Sequence, residues 1–244
     1  MTRGVFAGLG VTLDVVGDEH IPRTGGAVLA INHTSYLDFA LGGVPADRQG
    51  RRLVRFMAKD AIFRHPVGGP LMRAMRHIPV NRDAGSASFR EAVSYLKSGE
   101  LVGVFPEATM SRSFEVKELK NGAVRMARAA NVPLIPMIIF GGHRILSYGV
   151  KDFSRGKTIC ITVGEEFSAP KGVDADVTTS LLQERLAKLL DETIARYPDK
   201  DPGSWWIPAR LGGSAPTPKE ALQIEEQKRS EREARGSQEQ PPLP

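Results

Sequence analysis

Residues 101–140 read LVGVFPEATMSRSFEVKELKNGAVRMARAANVPLIPMIIF, two apolar runs enclosing a helical pattern. The first run, residues 101–105, is short and strand-like and ends at Pro106. In NGAVRMARAA, residues 121–130, apolar side chains recur at helical spacing, and Asn131-Val132-Pro133 closes the helix. Asparagine tolerates a left-handed cap, and a proline disfavours helical geometry in the residue before it. Residues 134–140 are the second apolar run. Strands that alternate with helices point to an α/β fold built on a mostly parallel or mixed sheet flanked by helices.

The same alternation extends in both directions. Further apolar runs fall at 11–16, 27–31, 53–58 and 157–163. Between two of them, residues 88–97 carry Phe89, Ala92, Val93 and Leu96 on one helical face, with Gly99 as the stop. Residues 178–196 form another helix whose stripe is Leu182, Leu186, Leu189, Leu190 and Ile194. The expectation is one domain over residues 1–211. After the linker Gly212-Gly213-Ser214-Ala215-Pro216, residues 212–244 read as a charged, Pro-containing tail, flexible or partly helical and without a part in the chemistry.

Composition narrows the class. Over 244 residues, 41% hydrophobic and 25% charged side chains describe ordinary globular material. The single cysteine, Cys160, excludes an internal disulfide framework, and its apolar surroundings predict a core thiol. No stretch approaches the roughly 20 apolar residues that span a bilayer, and the N-terminus has no signal-peptide pattern, so membrane contact is expected to be peripheral. The segment around Val5, Phe6 and Leu9 is either such a contact or core packing. Trp205-Trp206 allows the same two readings.

The net charge is +5, and ten Arg or Lys between Arg48 and Arg90 face only Asp60 and Asp83. An arginine-heavy, one-signed cluster suits phosphate groups. Without a helix-turn-helix, zinc or aromatic-interleaved signature, nucleic acid is not an expected partner. No Gly-x-Ser-x-Gly elbow points to a serine hydrolase.

Chemistry concentrates after the run 27–31, where the chain reads Asn32-His33-Thr34-Ser35-Tyr36-Leu37-Asp38. A carboxylate five residues beyond a histidine can fix its tautomer and leave the other ring nitrogen free to take a proton. On a regular helix that spacing is poor, so the geometry needs a turn between them, with Ser35 as helix N-cap. Ser35-x-x-Asp38 also fits a capping box, in which Asp38 only closes a helix end. Both readings stand at this level. Gly141-Gly142-His143-Arg144, at the end of another run, fits either a substrate contact or a tight turn.

Four blocks follow one another in order: His33 with Asp38, the arginine of His77-Ile78-Pro79-Val80-Asn81-Arg82, Phe105-Pro106-Glu107-Ala108-Thr109-Met110-Ser111, and Val132-Pro133-Leu134-Ile135-Pro136. Together they resemble the ordered motifs of the glycerolipid acyltransferase family, over about residues 27–140. The resemblance implies transfer of a fatty acyl group from a thioester to a hydroxyl of a lysophospholipid, foremost 1-acylglycerol 3-phosphate. It implies His33 as general base and Asp38 as its orienter. Arg82, Glu107, Lys59 and Arg112 become acceptor or phosphate contacts, with site architecture an alternative for Glu107. Pro133 to Pro136 become an acyl-side wall, and the backbone N–H groups of Ala108 and Thr109 oxyanion donors. No metal or other cofactor is implied; acyl-CoA or acyl-ACP is the co-substrate. The implied place is cytoplasmic, peripheral on the inner face of the cell membrane and in contact with anionic lipid. Two positions depart from the family's Glu-Gly-Thr-Arg-Ser block: Ala108 replaces glycine and Met110 replaces arginine. Glycerol 3-phosphate, a glycolipid hydroxyl, or a non-catalytic lipid- or phosphate-binding module of the same fold are the alternatives.

Overall fold

The computed structural model describes residues 8–66, 68–80 and 85–238. Its strands are β1 (Thr12–Val16), β2 (Ala27–Ile31), β3 (Val54–Lys59), β4 (Ile78–Val80), β5 (Leu101–Val104), β6 (Leu134–Phe140), β7 (Leu146–Ser147), β8 (Val150–Lys151) and β9 (Thr158–Val163). Its α-helices are α1 (Asp38–Gly42), α2 (Val44–Arg48), α3 (Asp60–Arg64), α4 (Gly68–Ala74), α5 (Gly85–Lys97), α6 (Gly122–Ala130), α7 (Ala175–Ala195) and α8 (Pro218–Gln238). Seven strands form one sheet in the order β1-β9-β6-β2-β5-β3-β4. From β6 to β4 all neighbours are parallel; β9 runs antiparallel to β6 and carries β1 parallel to itself. The sheet is therefore mixed, as the alternation of elements allows.

Strands β2 and β6 lie at the centre and are buried along their whole length. Alternation divides their side chains between two cores. Val28, Ala30, Leu134 and Ile138 face the layer of α5, α6 and α7, whereas Leu29, Ile31, Ile135 and Ile139 face α1 and α2. Each fully buried aliphatic side chain contributes about 1.5–3 kcal/mol relative to exposure. Cys160 lies in the first core with no exposure, and burial, reinforced by Asp14, pushes its thiol up to about 12. The core-thiol expectation holds.

Local signals set most element ends. Asn131 closes α6 in the left-handed region (φ 56°), and its N–H and that of Val132 bond back to the Arg128 and Ala127 carbonyls. Helix α7 starts three residues before the expected residue 178, because the Asp174 side chain accepts from the Asp176 N–H. Leu53, 62% exposed, stays outside β3. In α8 the first turn has a complete capping box: the Thr217 hydroxyl accepts from the Glu220 N–H, and the Glu220 carboxylate accepts from the Thr217 N–H. The segment before it is close-packed, since a Cβ on Gly213 would stand 1.9 Å from the Ile207 carbonyl oxygen.

Part of the arginine cluster is structural. Arg52 donates to the carbonyls of Pro22, Gly25 and Gly99. Arg55 is buried, donates to Glu100 and to the Arg76 carbonyl, and lies 4.0 Å over the Tyr95 ring. These guanidiniums tie strand ends and loops together.

Candidate active site

The candidate site forms where β2 and its neighbour β5 end. Asn32 prolongs β2 with its side chain: the amide donates to the Ile139 carbonyl and accepts from the Ile139 N–H, anchoring the turn to β6. His33 comes next, and its surroundings hold it at four points. Its N–H donates to Glu107 Oε1 at 2.8 Å, and its carbonyl accepts from the Ser111 N–H at 2.7 Å. The imidazole stacks on Phe105 with centroids 4.2 Å apart. Nδ1 lies 2.9 Å from Asp38 Oδ2.

Asp38 meets the first reading of its spacing in full and the capping-box reading only in part. Its Oδ2 accepts from the Thr34 and Ser35 N–H groups, each at 2.8 Å, as well as from His33. The reach back to Ser35 is half of a capping box. The other half is absent, because the Ser35 hydroxyl accepts from Leu37 and donates to the Leu146 carbonyl. Ser35 is therefore not the N-cap the spacing predicts: α1 begins at Asp38 itself, after Leu37. An oxygen that already receives two N–H bonds acts as an acceptor, so Nδ1 carries the ring hydrogen and Nε2 presents its lone pair. The His33 side chain is 16% exposed, and among the described residues Nε2 has no hydrogen-bond partner. Such an imidazole can take a proton from a hydroxyl placed beside it.

Glu107 is 4% exposed and lies inside this construction rather than on its surface. Oε1 holds the His33 N–H and Oε2 holds the Lys117 N–H. Burial pushes its carboxyl up to about 8, while the two amides and the Lys117 ammonium pull it down. Both carboxylate oxygens of Glu107 are thus engaged by backbone N–H groups. Ala108 follows in the left-handed region (φ 63°), where a glycine costs nothing and an alanine about 1 kcal/mol.

The expected oxyanion donors need correction. The Ala108 N–H bonds to the Phe105 carbonyl and the Thr109 N–H to the Glu107 carbonyl. The tight turn occupies both amides, so neither is a free donor. Of the expected acyl-side wall, Leu134 and Ile135 have no exposure and belong one to each core, whereas Pro133 is half-buried. Met110, standing where the resemblance expects arginine, is buried at 3% exposure.

Lys59 ends β3. Arg82 and the N-terminal Val5 and Phe6 lie outside the described residues. Arg112 borders a cleft of about 200 Å³, shared with Thr34, Tyr148, Trp205, Pro216 and Ile224. Its guanidinium stands 3.9 Å over Tyr148, and its Nε, like Thr34 Oγ1, is buried without a partner. Trp205 is 40% exposed, whereas Trp206 bonds to the Asp199 carbonyl beneath Arg144 and packs against the first core. Gly141 to Arg144 form a tight turn in which His143 is fully buried.

Sequence reasoning missed Lys117. Its N–H fixes Glu107, and its ammonium bridges Thr109 Oγ1 to both carboxylate oxygens of Glu225 in α8. The legible signal was Thr217-x-x-Glu220, a capping box that predicts a helix start in the segment read as tail.

Comparison with known proteins identifies the family and the fold. A family model described as Acyltransferase matches residues 12–140. A 1-acyl-sn-glycerol-3-phosphate acyltransferase of Bacillus subtilis is 30% identical over 181 residues, covering 72% of this chain and 82% of the relative. One from Borreliella burgdorferi is 24% identical, covering 76% of this chain and 74% of the relative. The crystal structure of the 1-acyl-sn-glycerophosphate acyltransferase PlsC from Thermotoga maritima superposes with a TM-score of 0.68 at 23% identity, covering 81% of this chain and 78% of that one. The last comparison concerns the fold. The family match takes in every strand of the large sheet except β9, together with residues 33–38, and the chain belongs to the acyltransferase family.

Proposed function

We propose that this acyltransferase moves a fatty acyl group from a thioester donor, acyl-CoA or acyl carrier protein, to the free hydroxyl of a lysophospholipid. The observation that carries the reading is the 2.9 Å contact between His33 Nδ1 and Asp38 Oδ2, with Nε2 left open. His33 Nε2 takes the acceptor hydroxyl's proton as that oxygen attacks the thioester carbonyl. The C–S bond breaks, the ester C–O bond remains, and the imidazolium returns the proton to the leaving thiolate. Asp38 stabilises the imidazolium between these steps, and general-base action of this kind contributes about 10²–10⁴-fold. Holding both substrates in register supplies much of the rest.

The acceptor is foremost 1-acylglycerol 3-phosphate, the substrate named for the Bacillus and Borreliella relatives. Arg112 is the phosphate contact favoured by its position on the cleft beside Thr34; Lys59 and Arg82 are further candidates. Because Met110 is buried where arginine is expected, the acceptor panel extends to glycerol 3-phosphate and a glycolipid alcohol. Among the described residues no helix is long and apolar enough to cross a membrane. The proposed attachment is peripheral, on the cytoplasmic face of the cell membrane, through basic side chains and anionic lipid.

Mass spectrometry of products tests the reading. Purified protein is given one labelled acyl thioester and a mixture of lysophosphatidate, other lysophospholipids, glycerol 3-phosphate and a glycolipid. Labelled phosphatidate from wild type, strongly reduced in His33→Ala, is the expected outcome. Equal yields from the two proteins would remove His33 from the chemistry. Lipid binding without turnover in both would leave a binding module of the same fold.

A further inference from the structure

The C-terminal segment, compositionally a tail, contributes to the cleft that starts one residue from His33. Thr34 and Arg112 border this cleft, Tyr148 and Trp205 add aromatic surface, and Pro216 and Ile224 come from the C-terminal segment. We propose that this segment completes the acceptor-binding cleft and that Ile224 limits the size of the acceptor headgroup admitted there. The proposal rests on the reading that the acceptor is a lysophospholipid.

Three observations carry it. The lining is that of an amphiphile site, with a cation held over an aromatic ring next to apolar Trp205 and Ile224. Two of its side chains have buried polar atoms with no protein partner, Thr34 Oγ1 and Arg112 Nε. A hydroxyl and a guanidinium Nε–H left unsatisfied at a cleft await a ligand that accepts hydrogen bonds, such as a phosphate. Finally, the C-terminal segment is anchored to the catalytic loop. Both Glu225 oxygens accept from Lys117 Nζ at 2.8 Å, and the Lys117 N–H holds the carboxylate that also holds the His33 N–H. Ala215 and Ala221, on either side of the Thr217 cap, are buried at 4% and 6% exposure. Ile224 is half-buried at the cleft, whereas Leu222, two residues before it, is 54% exposed.

The test compares full-length wild type, Ile224→Ala, Ile224→Trp and the control Leu222→Ala. Lysophosphatidate and the bulkier lysophosphatidylglycerol serve as acceptors, with one acyl thioester. Acceptor and donor KM are measured, and tryptophan fluorescence follows lysophosphatidate binding below its micellar range, with Trp205→Phe assigning the signal. Ile224→Trp should raise the acceptor KM and the fluorescence Kd together by about tenfold or more, the scale on which pocket shape discriminates. Donor KM should move far less. Ile224→Ala should shift relative kcat/KM toward the bulkier acceptor by about tenfold, and Leu222→Ala should match wild type. If Ile224→Trp moves donor and acceptor constants alike, or both Ile224 variants lower only the melting temperature, the segment is structural and the proposal fails. If wild type turns over none of these acceptors, the functional reading fails separately. Fluorescence then still decides the cleft: weakened binding in Ile224→Trp supports it, and unchanged binding overturns it.

Discussion

His33 and His143 occupy similar places and have opposite chemistry. They follow the ends of β2 and β6, which are neighbours in the sheet, and each stacks on a phenylalanine, Phe105 at 4.2 Å and Phe114 at 4.1 Å. His33 has a carboxylate on Nδ1 and an open Nε2. His143 has no exposure, its Nε2 bonds to the Trp206 carbonyl, and its Nδ1 is buried without a partner. Burial, helped by the neighbouring Arg144, pushes His143 down to about 3, so it stays neutral at physiological pH. A strand end and an aromatic platform therefore do not make a base. The adjoining carboxylate and the open nitrogen are what the base proposed at His33 has and His143 lacks.

The most forceful way to break this comparison is to remove each ring. His33→Ala should lower kcat by about 10²–10⁴-fold, while its circular dichroism and melting temperature stay near wild type. His143→Phe, keeping the stack, should leave kcat within a few-fold. The reverse result would mean that the wrong histidine has been assigned.

Acid sharpens the contrast through stability. In the folded chain burial pushes His143 down to about 3 from the ordinary 6.5, so the unfolded chain binds its proton first. The stability it contributes is full above about pH 6.5 and is lost as pH falls toward 3. By pH 4 the loss amounts to about 3 kcal/mol. Denaturant melts at pH 7 and pH 4 should show a shallower decline for His143→Phe than for wild type. Parallel declines would mean that the ring is protonated in the folded state.

A smaller effect probes what holds His33 from behind. Glu107→Gln leaves one carbonyl oxygen where two amides need acceptors, so either His33 or Lys117 loses its bond. The expected cost is about 1–3 kcal/mol of stability, with kcat reduced less than in His33→Ala. Activity and stability both equal to wild type would show that the clamp is dispensable. The smallest expected change is Ala108→Gly. Relief of the left-handed strain at φ 63° is partly offset by glycine's greater freedom in the unfolded chain. A net gain of about 0.5 kcal/mol should appear as a slightly higher melting temperature.

Both halves of the comparison were visible in the sequence, but unequally. His33-x4-Asp38 and Phe105-Pro106-Glu107 have local spacing, and the turn that joins His33 to Asp38 is made by residues 33–38 alone. His143 was ambiguous because its fate depends on Phe114 and Trp206, 29 and 63 residues away. The same distance hid Lys117, whose partners lie on the Glu107 loop and on α8. Met110 and the Ala108 and Thr109 amides illustrate a different gap. Motif position marked Met110 as the departure from arginine and the two amides as oxyanion donors, whereas packing buried the methionine and the turn engaged both amides.

Periodicity and capping act over one or two turns of chain, so the residues alone determined the central strands, α6 and α7, and narrowed the histidine–carboxylate turn to two readings. Seven strands can be ordered in many ways at nearly the same local energy. Only the simultaneous burial of both faces of β2 and β6 decided their order, the reversal of β9 and the docking of α8 beside His33. Hydrophobic burial and desolvation depend on what arrives from distant parts of the chain, and for that reason the accessibility of each histidine was settled by the tertiary structure.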